Sequence, residues 1–240
     1  ARLRAHIAST CNFPIAAGLA SSASSFAALT VAAAAALGRS LDAGELARLA
    51  GRTSGSSARS LFGGFVELAN VGDDIEVTNI CEADAWPMTV VIAITETGPK
   101  PVGSSEAMEI SRRTSPFYAS WVEQQADDLA MARTAIAARD FDALRTVAEH
   151  NCLKMHSIMW ASRPSVVYWN AATLRCLETV RDLQADGVPV VFTIDAGPQV
   201  KAVCLPEGAA RVEAALRATE GVRNIMTTGL GAGARLEADS

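Results

Sequence analysis

Pro14, Gly18, Ser21 and Ser22, within residues 12–26 (NFPIAAGLASSASSF), put a chain turn and two hydroxyls at the head of an apolar helix. Glycine lets the backbone approach a ligand with no Cβ in the way, and a helix start presents unpaired N–H groups. Such a terminus favours anions, and Ser21 and Ser22 can add hydroxyl donors. The same residues also suit a serine-capped helix with a small-residue packing face, so on this segment alone the two readings stand level. A membrane span is the third reading, because no Asp, Glu, Lys or Arg occurs between Ala5 and Gly38. Pro14 and Gly18 interrupt that run and most of the rest is Ala and Ser. Those residues drive insertion weakly beside Leu, Ile and Phe, and the span is rejected.

Asp195 lies in Thr-Ile-Asp-Ala-Gly-Pro, where an apolar strand runs into a turn. A carboxylate there can be held rigidly at a cleft edge, or can simply cap the turn. Arg59 follows Ser-Gly-Ser-Ser-Ala, so its guanidinium could emerge beside several hydroxyls. Arginine suits bidentate grip of carboxylate or phosphate, and the plain alternative is a surface ion pair. The familiar phosphate signatures are absent: no GK[ST] ending completes a P-loop, and residues 229–233 (GLGAG) stand too near the C-terminus to open a Rossmann helix. Those glycines are read as a turn.

The 240 residues are half apolar and one fifth charged, enough for one large domain or two ordinary ones. A net charge of -5 argues against a general nucleic-acid surface, which needs clustered Lys and Arg. Cys11, Cys81, Cys152, Cys176 and Cys204 are scattered and odd in number, which predicts buried free thiols in a reducing cytosol rather than disulfides or zinc. His150 and His156 miss the i, i+4 spacing of a zinc-binding HExxH helix, so both are expected in structural or solvated roles and no metal ligand is assigned. The first residues carry no secretory pattern, and Ala1 opens inside a patterned segment, as a fragment or processed chain would.

Alternation through residues 2–10 predicts a half-buried strand, and residues 19–37 a helix with Leu19, Phe26, Leu29, Ala33 and Leu37 on one face. A shorter helix follows in residues 41–52, then a Gly63-Gly64 turn into a strand, with residues 73–77 as a solvated loop. The pattern resets at 85–87, and residues 88–96 open a second unit as a buried strand. Helices are expected over 105–113, 117–138, 140–160, 166–185 and 207–219, and strands over 188–197, 200–205 and 223–230. This interleaving predicts α/β or α+β architecture with two layers sharing a cleft.

The wording of residues 14–23 resembles the second motif of the GHMP kinase superfamily. Residues 12–24, 54–67, 149–170 and 194–204 together, in order and across almost the whole chain, resemble the diphosphomevalonate decarboxylase family within it. The resemblance implies an α+β GHMP-kinase-like fold, with a ribosomal protein S5 domain 2-like part at residues 1–86 and a ferredoxin-like part at 87–240. It implies ATP and Mg²⁺ as cofactors, diphosphomevalonate as substrate, a cytoplasmic homodimer, and neither nucleic acid nor membrane as partner. ATP phosphates would sit on Ala17, Gly18, Leu19, Ala20, Ser21 and Ser22, and Asp195 would contact the substrate 3-hydroxyl as base or orienter. Ser54, Ser56 and Arg59 would hold the departing carboxylate, and Ser104 and Ser105 the diphosphate, with Glu106 where some bacterial forms carry arginine. The family's first strands, with their KYWGK-like segment, have no counterpart, being either left out of these 240 residues or truly absent from the polypeptide; if truly absent, little or no activity is expected. A phosphomevalonate decarboxylase, another GHMP kinase and a non-catalytic nucleotide-binding relative stand as alternatives.

Overall fold

The computed structural model describes residues 4–13, 15, 18–72 and 74–237. Pro14 and Ala17 lie outside these described residues, as do the first three positions of the chain, where the expected opening strand begins. Residues 4–10 are exposed and carry no strand. Alternation makes a strand only where a neighbour completes the ladder, and no described neighbour does so here.

Three helices come first: α1 (Ser21–Ala36), α2 (Ala43–Gly51) and α3 (Gly55–Arg59). Asp42 accepts from the Glu45 N–H at 2.8 Å while Glu45 reaches back to the Asp42 N–H, a reciprocal cap that sets the start of α2. The buried face of α1 differs from the expected one. Ala23 and Ala27 face inward, while Leu29 and Leu37 are exposed. Ala27 meets Ala47, Ala50 and Ala58 in one cluster, and methyl-sized contacts let three short helices pack closely where leucines would hold them apart.

Next, β1 (Phe65–Val71) and β2 (Asp74–Cys81) pair antiparallel. The solvated loop expected at 73–77 is therefore corrected: residues 74–77 belong to β2, and Asp73 lies outside the described residues. Ile75 and Val77 turn inward and Glu76 outward, so the period-2 signal is present but short.

The rest builds on one four-stranded antiparallel sheet in the order β4-β5-β3-β6, from β3 (Thr89–Ile94), β4 (Val190–Thr193), β5 (Val200–Cys204) and β6 (Asn224–Gly229). Between β3 and β4 run α4 (Ser104–Thr114), α5 (Tyr118–Glu123), α6 (Gln125–Ala138), α7 (Phe141–Trp160) and α8 (Ala171–Ala185). A short 3₁₀ turn and α9 (Ala209–Ala218) join β5 to β6. This is the split β-α-β-β-α-β ferredoxin-like topology. Val91, Phe192, Ile194, Val200, Cys176 and Val180 form the core between sheet and helices.

Two expected helices are resolved differently. The 117–138 segment breaks at Gln124 into α5 and α6. The 166–185 helix begins only at Ala171, because Asn170 caps it by accepting from the Thr173 N–H at 2.9 Å. Gly229 closes β6 and residues 230–233 run in irregular backbone across the β1 entry, where Gly64 N–H donates to Gly231 O at 3.2 Å and Ala234 N–H to Ser60 O at 3.0 Å. Trp86 stacks on Phe65 at 5.5 Å and shares a cluster with Met88 and Val191, so the hairpin packs against the four-stranded sheet. Among the described residues no helix is long and apolar enough to cross a membrane.

Candidate active site

Asp195 stands just past β4, where the chain leaves the sheet and turns back into β5. A buried polar network fixes this turn. Thr95 Oγ1 donates to Pro198 O at 3.0 Å, Thr173 Oγ1 to the same carbonyl at 2.8 Å, and Thr95 N–H to Gln199 Oε1 at 2.7 Å. Gln199 Nε2 in turn donates to Glu96 O at 2.6 Å. Pro198 O and Gln199 Oε1 each accept twice, so the turn is held by shared bonds between buried groups, whose loss is the costly case.

The backbone just before Asp195 is held from α7. His156 Nε2–H donates to Ile194 O at 3.0 Å, and Ile194 N–H donates to Cys152 Sγ at 3.3 Å. Burial pushes the His156 pKa down to about 4 and keeps the ring neutral, while burial raises the Cys152 thiol. A histidine depressed in the folded state makes folding lose stability as pH falls from its unfolded value near 6.5 toward 4, because only the unfolded chain binds the proton there. Urea denaturation at pH 7.5 and 4.5 is expected to show about 2–3 kcal/mol of this loss in the parent and little of it in His156→Gln.

Two lysines flank the turn. Lys201 on β5 donates to Asp195 Oδ2 at 2.8 Å and to Gly18 O at 2.7 Å. Lys100 donates to Ala196 O at 2.8 Å and to Ser104 Oγ at 2.5 Å, and its ammonium stands 5.5 Å from the Tyr168 ring centre. Burial lowers the Lys100 pKa, with Asp195 opposing that shift and Lys201 adding to it.

Gly18 adopts φ +82°, and a Cβ there would meet Gly197 Cα at 2.7 Å. Two glycines thus bring the turn before α1 into contact with the turn after Asp195. Ala20 precedes the helix in the left-handed region with φ 52°, and Ser21 and Ser22 form its first turn as expected. No carboxylate lies in that turn, so the N–H groups of a 16-residue helix face the same region with no built-in counter-charge.

Arg59 ends α3. Ser57 Oγ pins this helix by donating to Ala50 O at 2.8 Å, and the Ser54 and Ser56 hydroxyls bond each other at 2.9 Å. The Arg59 guanidinium makes no hydrogen bond or ion pair among the described residues. It lines a cavity of about 460 Å³ whose wall also includes Asp195, Ile194, Cys152 and Asn151. A second cavity of about 690 Å³ carries Arg59, Ser56, Ser60, Ala20 and Ser24. Asp195, Arg59, Ser56 and the 18–22 turn therefore converge. Ser54 joins them through Ser56, and Ser104 through Lys100, whereas Ser105 is exposed on the first turn of α4 beside Glu106.

Sequence reasoning misses Lys201, Lys100 and the buried Thr95–Gln199 network. Lys201 leaves a signal: a cation inside the otherwise apolar strand Val-Lys-Ala-Val-Cys demands a partner. His156, expected in a structural or solvated role, is buried and packed against Trp169 at 4.8 Å between ring centres, while of the five cysteines expected to be buried Cys11 and Cys81 are only half-buried.

A ferredoxin-like sheet joined to a helical part whose first helix points its N-terminus at the inter-strand turn defines a protein of the GHMP kinase fold. Residues 1–78 match the diphosphomevalonate decarboxylase-like N-terminal domain and residues 90–235 the mevalonate 5-diphosphate decarboxylase C-terminal domain. The chain belongs to the diphosphomevalonate decarboxylase family. It is 32% identical to the Candida albicans diphosphomevalonate decarboxylase over 82% of this chain and 56% of that one, and 33% identical to the human protein over 89% and 54%. It spans about half the length of these curated relatives. The solved mevalonate diphosphate decarboxylase of Staphylococcus aureus superposes with TM-score 0.84 at 32% identity, covering 92% of this chain and 68% of that one. A structure described as MDDEF in complex with MVAPP, AMPPCP and magnesium gives 0.81 at 34% identity, with the same coverage.

Proposed function

We propose that the site carries out ATP-dependent decarboxylation of diphosphomevalonate to isopentenyl diphosphate. The observation that carries this reading is that Asp195 and Arg59, which has no side-chain partner among the described residues, line one cavity, with the Gly18 turn tied to Asp195 through Lys201. The relative solved with MVAPP, AMPPCP and magnesium supports it. A two-part organisation at residues 1–86 and 87–240, and the family's cytoplasmic homodimer, belong to the same reading, and the separate matches at 1–78 and 90–235 support the division.

The residues fit the groups they would hold. Gly18 offers a turn position without a Cβ, and Leu19, Ala20, Ser21 and Ser22 lead into the helix N–H groups that would meet ATP phosphates; Ala17, outside the described residues, joins them by the family resemblance alone. Magnesium would be carried mainly by those phosphates and supply charge neutralisation at them. Arg59, with Ser54 and Ser56, would grip the substrate carboxylate, and Ser104 and Ser105 would reach the diphosphate. Asp195 would orient or deprotonate the 3-hydroxyl, which takes the γ-phosphoryl group. Inorganic phosphate then leaves with the C–O electron pair, while the bond to the carboxylate breaks and its pair becomes the new double bond. Phosphorylation is needed because a tertiary hydroxide leaves poorly, so positioning and charge placement supply the catalysis.

The test is ADP and carbon dioxide formation by the complete polypeptide against mevalonate, its monophosphate and its diphosphate. Turnover with the diphosphate alone is expected. Preference for the monophosphate, phosphorylation that stops before decarboxylation, or nucleotide binding without turnover would each replace this reading. Arg59→Met is expected to raise the KM for the diphosphate substrate about 100-fold, with Arg59→Lys recovering only part, because the bidentate fork is lost.

A further inference from the structure

Lys201 is the side chain through which the turn before α1 and the carboxylate of Asp195 are joined. It sits mid-sheet, paired with Thr193 on one side and Ile92 on the other, so its backbone is rigid. Its side chain is 11% exposed against 55% for Asp195. The ammonium is thus on the protein side of the pair and the carboxylate faces the cavity. A buried cation is tolerated only when paired and hydrogen-bonded, and Asp195 and the Gly18 carbonyl meet that need. Neither contact is made by Arg59, so the grip on the substrate carboxylate is independent of it.

We infer that Lys201 is a positioning residue that locks the nucleotide turn to Asp195, holding phosphoryl donor and hydroxyl acceptor at one separation. This rests on the function proposed above. Phosphoryl transfer depends on such alignment, and a misplacement of about 1 Å can cost about 100-fold in rate. The close approach of Gly18 to Gly197 is the second half of the same device: the glycines let the turns touch, and Lys201 keeps them in register.

The experiment compares the complete polypeptide with K201M and K201R. Methionine fills the space without the charge, and the Asp195 carboxylate left behind is 55% exposed and can be solvated, so the fold is expected to persist. For K201M, kcat for carbon dioxide release is expected to fall about 100-fold while KM for diphosphomevalonate stays within about 2-fold; K201R recovers at least about 10-fold of the loss. Amide hydrogen exchange over residues 18–24, measured without substrate, is expected to quicken at least about 5-fold in K201M. A K201M kcat within about 3-fold of the parent, or unchanged exchange, overturns the inference. A parent that releases no carbon dioxide sinks the proposed function instead, and the exchange comparison then decides Lys201 alone. Should K201M not fold, Lys201→Gln takes its place in both measurements, with the same thresholds for support and refutation.

Discussion

Asp195→Asn is expected to abolish release of phosphate and carbon dioxide together, lowering kcat about 1,000-fold or more, while the protein stays folded and melts about 5 °C below the parent because Lys201 loses its counter-charge. Asparagine is isosteric, and its oxygen still accepts from Lys201, so the link to the Gly18 turn survives. The surrounding backbone does not depend on the carboxylate: His156 holds Ile194, Lys100 holds Ala196, and Thr95 and Thr173 hold Pro198. What is lost is the negative charge facing the cavity and any capacity to take a proton from the substrate hydroxyl. Calorimetry beside steady-state kinetics checks both halves. Retained turnover would remove Asp195 from the chemistry and leave it as a turn residue.

Gly18→Ala is the second large effect. The residue has φ +82°, a conformation that costs an alanine about 1–2 kcal/mol. The added methyl would also stand 2.7 Å from Gly197 Cα, and backbone cannot rotate away as a flexible side chain can. One of the two turns must therefore move, carrying the Gly18 carbonyl off Lys201 and the α1 N-terminus off the cavity. Affinity for a non-hydrolysable ATP analogue is expected to fall at least about 10-fold, equivalent to about 1.4 kcal/mol. Titration calorimetry reads this directly. Unchanged affinity would mean that the 18–22 turn does not hold the phosphates.

Much of this arrangement is legible in the sequence, for identifiable reasons. Strongly patterned apolar segments announce β3, β4 and α7, and the glycine before Ser21-Ser22 announces a turn onto a helix start. The chemistry of Asp195 and Arg59 is open from the residues alone, because a turn aspartate and a surface arginine are ordinary. Only the resemblance separates the readings, and the shared cavity brings the two side chains together in space. The face of α1 is misread when leucine is weighted over alanine, whereas three short helices pack through Ala27, Ala47, Ala50 and Ala58. The β2 strand escapes notice because its alternation is short and begins on Asp74 and Glu76, acidic residues that read as solvated. Links such as Lys201 to Gly18, across 183 positions, leave no local pattern beyond a cation in an apolar strand.

On the proposed function, one site couples phosphoryl transfer to decarboxylation. Incubating the complete polypeptide with ATP, Mg²⁺ and diphosphomevalonate, and quantifying phosphate and carbon dioxide in the same reaction, tests it most directly. Equal amounts of the two products, both dependent on ATP and both lost in Asp195→Asn, are predicted. Phosphate without carbon dioxide, or neither product from a protein that still binds nucleotide, would contradict it.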